Sequence, residues 1–389
     1  MKHRMVSYYQ HTAGDCGNTV ICPSGTSLYP YGCPADDSLS IQAGMTRFPM
    51  TMKAAFAALL AMPTIAAAQT FRVDKYNIGG EGGTDYVTAE AGTGRVFVSR
   101  STHVMVIDGA TGKVLGDIPN TPRVHGVGIA PKWNHGFTTN SGDSSVTMFD
   151  LKTLAFIRKI PITVGGLDGI TYDHVSDRII LTNHSHPGTA IALDANSGDI
   201  TGTAELEDTA PEGAVADGKG RIFVNNEGKN TIQVINAKTM KAIASWPLKP
   251  CDGPTGIAYD HGTNRIFAGC GKASVVVNAS SGKVVSTITN GDGVDALGYD
   301  ESEKLIYIPS GATGTVLVVR QKSANKYAVV ATVPTMRGAK TITVDPVSHT
   351  AYLFQPERGP STPPAAGAPA GTRPTPGPIV NAWFFAIRH

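Results

Sequence analysis

The sequence predicts an all-β fold in which seven units of four short antiparallel strands close into a ring. Three observations carry this reading. An opening motif recurs seven times at intervals of about 40 to 45 residues, the length of one four-stranded unit. A second apolar run rich in β-branched and aromatic residues follows most openings at strand spacing, without a helical period. Third strands end in Asp or Asn ahead of a tight turn. Such units packed around an axis make a seven-bladed β-propeller with four-stranded antiparallel blades.

The openings, in chain order, are Thr84-Asp85-Tyr86-Val87, Val124-His125-Gly126-Val127, Leu167-Asp168-Gly169-Ile170, Pro211-Glu212-Gly213-Ala214, Pro254-Thr255-Gly256-Ile257, Val294-Asp295-Ala296-Leu297 and Ala339-Lys340-Thr341-Ile342. Each is read as the innermost strand of a blade. Second strands follow as Arg95-Val96-Phe97-Val98, Arg178-Ile179-Ile180-Leu181, Arg221-Ile222-Phe223-Val224, Arg265-Ile266-Phe267-Ala268 and Leu305-Ile306-Tyr307-Ile308; blade two departs most, with His135-Gly136-Phe137-Thr138-Thr139. Asp108, Asp150, Asp194, Asn236 and Asn278 end third strands. Their side chains can accept from backbone amides two residues on, so they are turn residues. The last blade runs from Thr341 to Ile387 and lacks a fourth strand, while Phe71 to Ile78 is a strand without a blade. The N-terminal strand is therefore expected to close the last blade and leave no open seam. Within that blade, 356–378 is rich in Pro, Ala and Gly and reads as a flexible or polyproline-like loop.

A chain with 41% hydrophobic residues can bury a large core, and a net charge of +2 argues against a dedicated nucleic-acid or membrane-surface binder. Lys53, the apolar run from Ala54 to Ile65 and Ala66-Ala67-Ala68 form a secretory signal peptide within 45–68. Residues 1–44 then read as an unstructured leader or a misassigned start, and the propeller as 69–389. A periplasmic or secreted, monomeric protein without membrane insertion is expected. Cys16, Cys22 and Cys33 would be lost on processing. The remaining pair, Cys251 and Cys270, falls at one end of a hairpin, where an oxidising compartment favours a disulfide; two free thiols are the alternative.

The Arg221-Ile222-Phe223-Val224-Asn225-Asn226 strand, the Asp-Gly-Ile opening and the Ser281-Gly282-Lys283 turn together resemble the YncE-like, or YVTN, β-propeller repeat family of exported bacterial proteins. The resemblance covers about residues 70 to 389. It implies the architecture and leaves activity open.

In a propeller the first residues of the inner strands lie at one mouth of the axial channel, and the second strands return to that face. The candidate ligand-binding residues are therefore Asp85, Arg100, His125, Asp168, His184, His186, Glu212, Asn226, Asp295 and Lys340, with Thr255, Asn140, Asn183, Glu227 and Ser310 on the same face. Crowded carboxylates raise one another's pKa unless a cation compensates, a role open to Lys340 and Arg100. No cofactor is required. A divalent cation, if held, would use His184, His186, Asp168 and Glu212. Each of these side chains has a plain alternative as a blade-edge cap or a solvated loop residue.

Three functions compete. The first is an exported binding or scaffold protein that holds a small ligand, peptide or protein partner at the mouth. It fits a sequence without a nucleophile elbow, a Cys-His pair or a complete zinc motif. The second is a metal-assisted lyase or hydrolase, similar to lactonases and virginiamycin B lyase, with its site at the same mouth. The third, single-stranded DNA binding, needs an aromatic and basic platform that an acidic mouth does not offer. Catalytic residues are not identifiable, and fold alone does not decide whether this is an enzyme.

Overall fold

Runs such as Arg221–Asn226 are almost continuously buried and are too short and too β-branched for helices. A computed structural model describes residues 70–389 apart from 366, 368 and 370. The expected leader and signal peptide lie outside the described residues. Among the described residues there are 28 strands in seven four-stranded antiparallel sheets, together with one short 3-10 turn, Pro131–Trp133. The fold is a seven-bladed β-propeller.

Blades one to six use consecutive strands from the axis outward, as in blade three: Leu167–Asp173, Arg178–Asn183, Thr189–Asp194 and Ile200–Glu205. The outermost strands are mostly solvated. The middle strands are nearly continuously buried, because both faces pack against neighbouring blades. The core is thus divided among the seams. Phe137, Val146 and Met148 of blade two pack with Leu167, Ile179, Leu181 and Leu193 of blade three. Turn chemistry fixes the rims: Asp108 Oδ1 accepts from the Ala110 and Thr111 amides at 3.0 and 2.8 Å.

The ring closes as the sequence predicts. Blade seven combines Ile342–Asp345, Thr350–Arg358 and Ile379–Arg388 with Arg72–Asn77, in antiparallel register from Arg72↔Arg388 to Asn77↔Trp383. Lys75 Nζ stands 3.7 Å from the Trp383 ring centre, and Arg388 pairs with Asp74 while donating to the Gly109 carbonyl of blade one at 2.8 Å. Val96, Val98 and Ile107 of blade one share a buried cluster with Phe354 and Phe384 of blade seven. Cys251 and Cys270 form a disulfide, with Cα atoms 5.6 Å apart.

The Pro-rich loop is shorter than expected. The hairpin continues through Pro356↔Ala382, Glu357↔Asn381 and Arg358↔Ile379, leaving 359–378 as the connection. Glu357 explains the extension, because its Oε2 accepts from Trp383 Nε1 at 2.7 Å and Asn381 Nδ2 at 2.9 Å. None of the helices among the described residues is long and apolar enough to cross a membrane.

Candidate functional site at the channel mouth

The opening motifs leave the strand ladder where their polar residues occur. In blades two, three and four the pairing skips from Val124 to Val127, from Leu167 to Ile170 and from Pro211 to Ala214. His125, Asp168 and Glu212 lie in these skipped steps, and a bulge re-aims its side chains. In blades one, five, six and seven the inner strand begins only at Val87, Ile257, Gly298 and Ile342. Asp85, Thr255, Asp295 and Lys340 therefore precede the ladder. The openings are thus bulged strand in blades two to four, as read from sequence but irregular, and lead-ins to the inner strand in the other four, where the reading as strand is corrected.

The preceding blade in the ring anchors these opening segments. Thr139 Oγ1 donates to the Asp168 carbonyl at 2.7 Å, Thr182 Oγ1 to that of Glu212 at 2.9 Å, and Thr341 Oγ1 to that of Asp85 at 2.8 Å. The glycines allow this approach. A Cβ on Gly169 would stand 2.7 Å from the Glu212 carbonyl oxygen and 2.8 Å from Thr182 Oγ1.

These constraints bring together residues far apart in sequence. His125 Nδ1 lies 2.9 Å from Asp85 Oδ2 and 3.6 Å from Asp168 Oδ1, while its Nε2 is 3.0 Å from Ser141 Oγ. His184 Nε2 is 3.3 Å from both Asp168 Oδ2 and Glu212 Oε1, and 3.1 Å from the Pro211 carbonyl oxygen. Lys340 Nζ meets Asp295 Oδ2 at 2.8 Å. Asp168 and Glu212 are each only 8% exposed.

Burial, reinforced by Glu212 and Asp85, pushes the Asp168 carboxyl up to about 7 against the pull of both imidazoles. The bond to Glu212, with help from Asp168, raises His184 to about 9 in spite of burial. Burial lowers His125, but its contacts with Asp85 and Asp168 outweigh that and Arg123, and its pKa is raised. Asp295 is raised by burial although Lys340 opposes it. Glu227 is raised by burial and then by Glu212, so it shares the same field.

Tyr86 belongs to the site and was not among the sequence candidates. Its hydroxyl lies 3.4 Å from Glu212 Oε2; burial, followed by Asp168, Glu212, Asp295 and Asp85, drives its pKa well above the usual tyrosine value. Its ring lines a cavity of about 230 Å³ further along the axis, walled by Gly126, Gly169, Gly213 and Gly256 among others. The signal was present in the sequence. Tyr86 follows Asp85 in the column where the other openings carry Gly, Ala or Thr.

Three candidates sit elsewhere. Arg100 is fully buried, with its guanidinium donating to the Gly79 and Gly80 carbonyls at 3.0 and 3.1 Å and stacked 4.6 Å from the Phe354 ring centre. It fastens the segment after the closing strand and does not compensate the acidic mouth; burial lowers it to about 10. Asn226 is buried too, donating to Thr231 Oγ1 and Gln233 Oε1. Asn140, Asn183 and Ser310 make similar turn bonds. His186 is exposed and falls outside the cluster of potential ligand atoms, which is Asp168, His184 and Glu212. Along a second strand, alternate residues face opposite ways, so strand-end position alone does not bring a side chain to the axis.

With this geometry in hand, the chain can be set beside known proteins. No family model matches it and no curated protein matches it, so the YVTN resemblance rests on the repeat motifs alone. Solved structures match throughout the propeller. Hydrazine synthase from Kuenenia stuttgartiensis shares 14% identity at a TM-score of 0.62, over 71% of this chain and 93% of the other. A chain of the mitotic checkpoint complex shares 14% identity at 0.64, over 79% and 95%. The WD40 repeats of RRP9 share 8% identity at 0.67, over 81% and 98%. At these identities the likeness is one of fold.

Proposed function

We propose that this protein is an exported, non-catalytic binding propeller whose mouth holds a positively charged ligand, either an organic amine or the basic side chains of a peptide or protein partner. One observation carries the reading: Asp85, Asp168, Glu212, Glu227 and Asp295 share one electrostatic field, with Lys340, His125, His184 and Arg123 as its cationic partners. Burial, with repulsion from Glu212 and Asp85 added, drives Asp168 toward neutrality, and a ligand cation would oppose both. The disulfide and the YncE-like repeat motifs support export. The occurrence of this fold in a mitotic checkpoint complex chain supports a protein as one class of partner. The same charge opposes a nucleic-acid backbone.

Calorimetric titration with spermine and with a tri-lysine peptide tests this. Binding at micromolar to low-millimolar concentration is expected, weakened about tenfold in Glu212→Gln. Failure of both probes to bind, or affinity unchanged in the variant, overturns the reading. N-terminal sequencing of the exported protein should begin near Gln69; retention of residues 1–44 would contradict export through this signal.

A metal-assisted lyase or hydrolase is the second reading, and one geometric feature favours it. Asp85, His125, Asp168, His184, Glu212 and Tyr86 form a row of neighbouring acid–base groups across the mouth, its longest step the 3.6 Å between His125 and Asp168. Turnover of lactones or of cyclic peptide esters, lost in His125→Gln with the fold retained, would establish it in place of simple binding.

A further inference from the structure

Asp168, His184 and Glu212 each present one ligand atom, and these atoms all lie within 4.8 Å of one another. His184 Nε2 is 3.3 Å from both carboxylate oxygens. Around a tetrahedral ion with bonds of about 2.0 Å, ligand atoms stand about 3.3 Å apart. An octahedral magnesium at about 2.1 Å sets adjacent ligands at about 3.0 Å and favours an oxygen shell rich in water, while calcium takes roughly six to eight oxygens. The two spacings from His184 match the tetrahedral value, and the imidazole donor favours a zinc-class ion over magnesium or calcium.

The second oxygens of the two carboxylates provide an independent observation. Asp168 turns Oδ2 to His184 and Oδ1 to His125, which is itself held by Asp85 and Ser141. Glu212 turns Oε1 to His184 and Oε2 to the Tyr86 hydroxyl. Each carboxylate therefore has one oxygen directed at the shared point and the other steadied from behind, the arrangement by which outer groups orient metal ligands. The carboxylates are on the buried side, whereas the His184 side chain is 36% exposed, so an ion has a path from the mouth and an open position toward it.

We propose that His184 Nε2, Asp168 Oδ2 and Glu212 Oε1 form a binding site for a zinc-class divalent cation, with the Pro211 carbonyl oxygen beside it and one position left to a ligand from the mouth. Two carboxylates and a neutral imidazole balance the ion's charge. This rests on the mouth being the ligand site, as proposed above, and narrows part of its ligand to a metal.

The test uses the purified protein, stripped with chelator and titrated with Zn²⁺ and with Co²⁺. One equivalent is expected to bind at micromolar concentration or tighter, with the intense visible absorption of four-coordinate cobalt, and millimolar Mg²⁺ or Ca²⁺ should not displace it. His184→Ala and Glu212→Gln should each weaken binding about a hundredfold, Tyr86→Phe by about tenfold, and His186→Ala should leave it unchanged. Cooperative melting of each variant shows that it is folded. Zn²⁺ binding that survives His184→Ala, or that is lost in His186→Ala, overturns the assignment. If spermine binds and Zn²⁺ does not, the metal site alone falls; if neither binds, both readings fall.

Discussion

Asp168 and His184 hold protons that they would release in an unfolded chain, and this sets how stability responds to pH. Asp168 is raised from 3.8 to about 7, chiefly by burial, and His184 from 6.5 to about 9, chiefly by Glu212. Because both folded values lie above the unfolded ones, the folded state binds more protons and stability falls as pH rises. The Asp168 contribution is complete below 3.8 and lost through about 7; the His184 contribution is complete below 6.5 and lost through about 9. Asp295 and His125 shift the same way, whereas His103, lowered by burial, works the other way near 6.5. Turn carboxylates such as Asp260 and Asp345 are lowered, so they lose their contribution only on the acid side of this window. In chelator, scanning calorimetry should show a melting temperature that declines from pH 4 to pH 9. Asp168→Asn should flatten the lower part of that decline and His184→Gln the upper. A rise across the window would contradict this account of the mouth. At the same scale, Gly169→Ala drives a Cβ into the Glu212 carbonyl and should destabilise by about 1–3 kcal/mol, read from urea unfolding.

Two elements hold the ring at places where its own repeat does not. The Arg72–Asn77 strand supplies the outer edge of blade seven, so its loss would expose a strand edge and uncover part of the blade-seven sheet. Deleting residues 70–79 should lower the melting temperature by about 10 °C or more, since each kcal/mol corresponds to roughly 2–4 °C in a large domain. Unchanged melting would show that the strand is dispensable. The Cys251–Cys270 disulfide joins residues 19 apart, and a loop of that size is worth about 3 kcal/mol in the chain-entropy picture. Its serine double variant should therefore melt roughly 6–12 °C lower. The strands themselves were readable in sequence because Arg221–Asn226 and its counterparts are short, β-branched and evenly spaced. The end of Thr350–Arg358 is not legible in sequence, because Pro356 reads as a break and the bonds from Trp383 and Asn381 to Glu357 that carry the ladder onward are tertiary.

Over the whole molecule, the repeat tells which residues share a rim and says less about which way each side chain points. Asp85, His125, Asp168, Glu212, Asp295 and Lys340 were legible as a set because one opening position recurs in every blade. Arg100 and Asn226 were legible only as strand ends, and their inward fastening bonds depend on neighbours that periodicity does not describe. Tyr86 carries no charge and so does not stand out among the ionisable residues of the rim, although it is the aromatic exception in its column. What the propeller achieves is to bring carboxylates from blades separated by 40 residues or more in sequence into one partly buried field, where a cation gains more than it would on an open surface. The most direct measurement of that claim is the affinity for spermine as a function of salt, in the unaltered protein and in a variant carrying Asp85→Asn, Asp168→Asn, Glu212→Gln and Asp295→Asn. The unaltered protein should bind more weakly as salt rises, and the variant should lose at least tenfold in affinity while still melting cooperatively. Equal affinity in the two proteins at low salt would contradict the account.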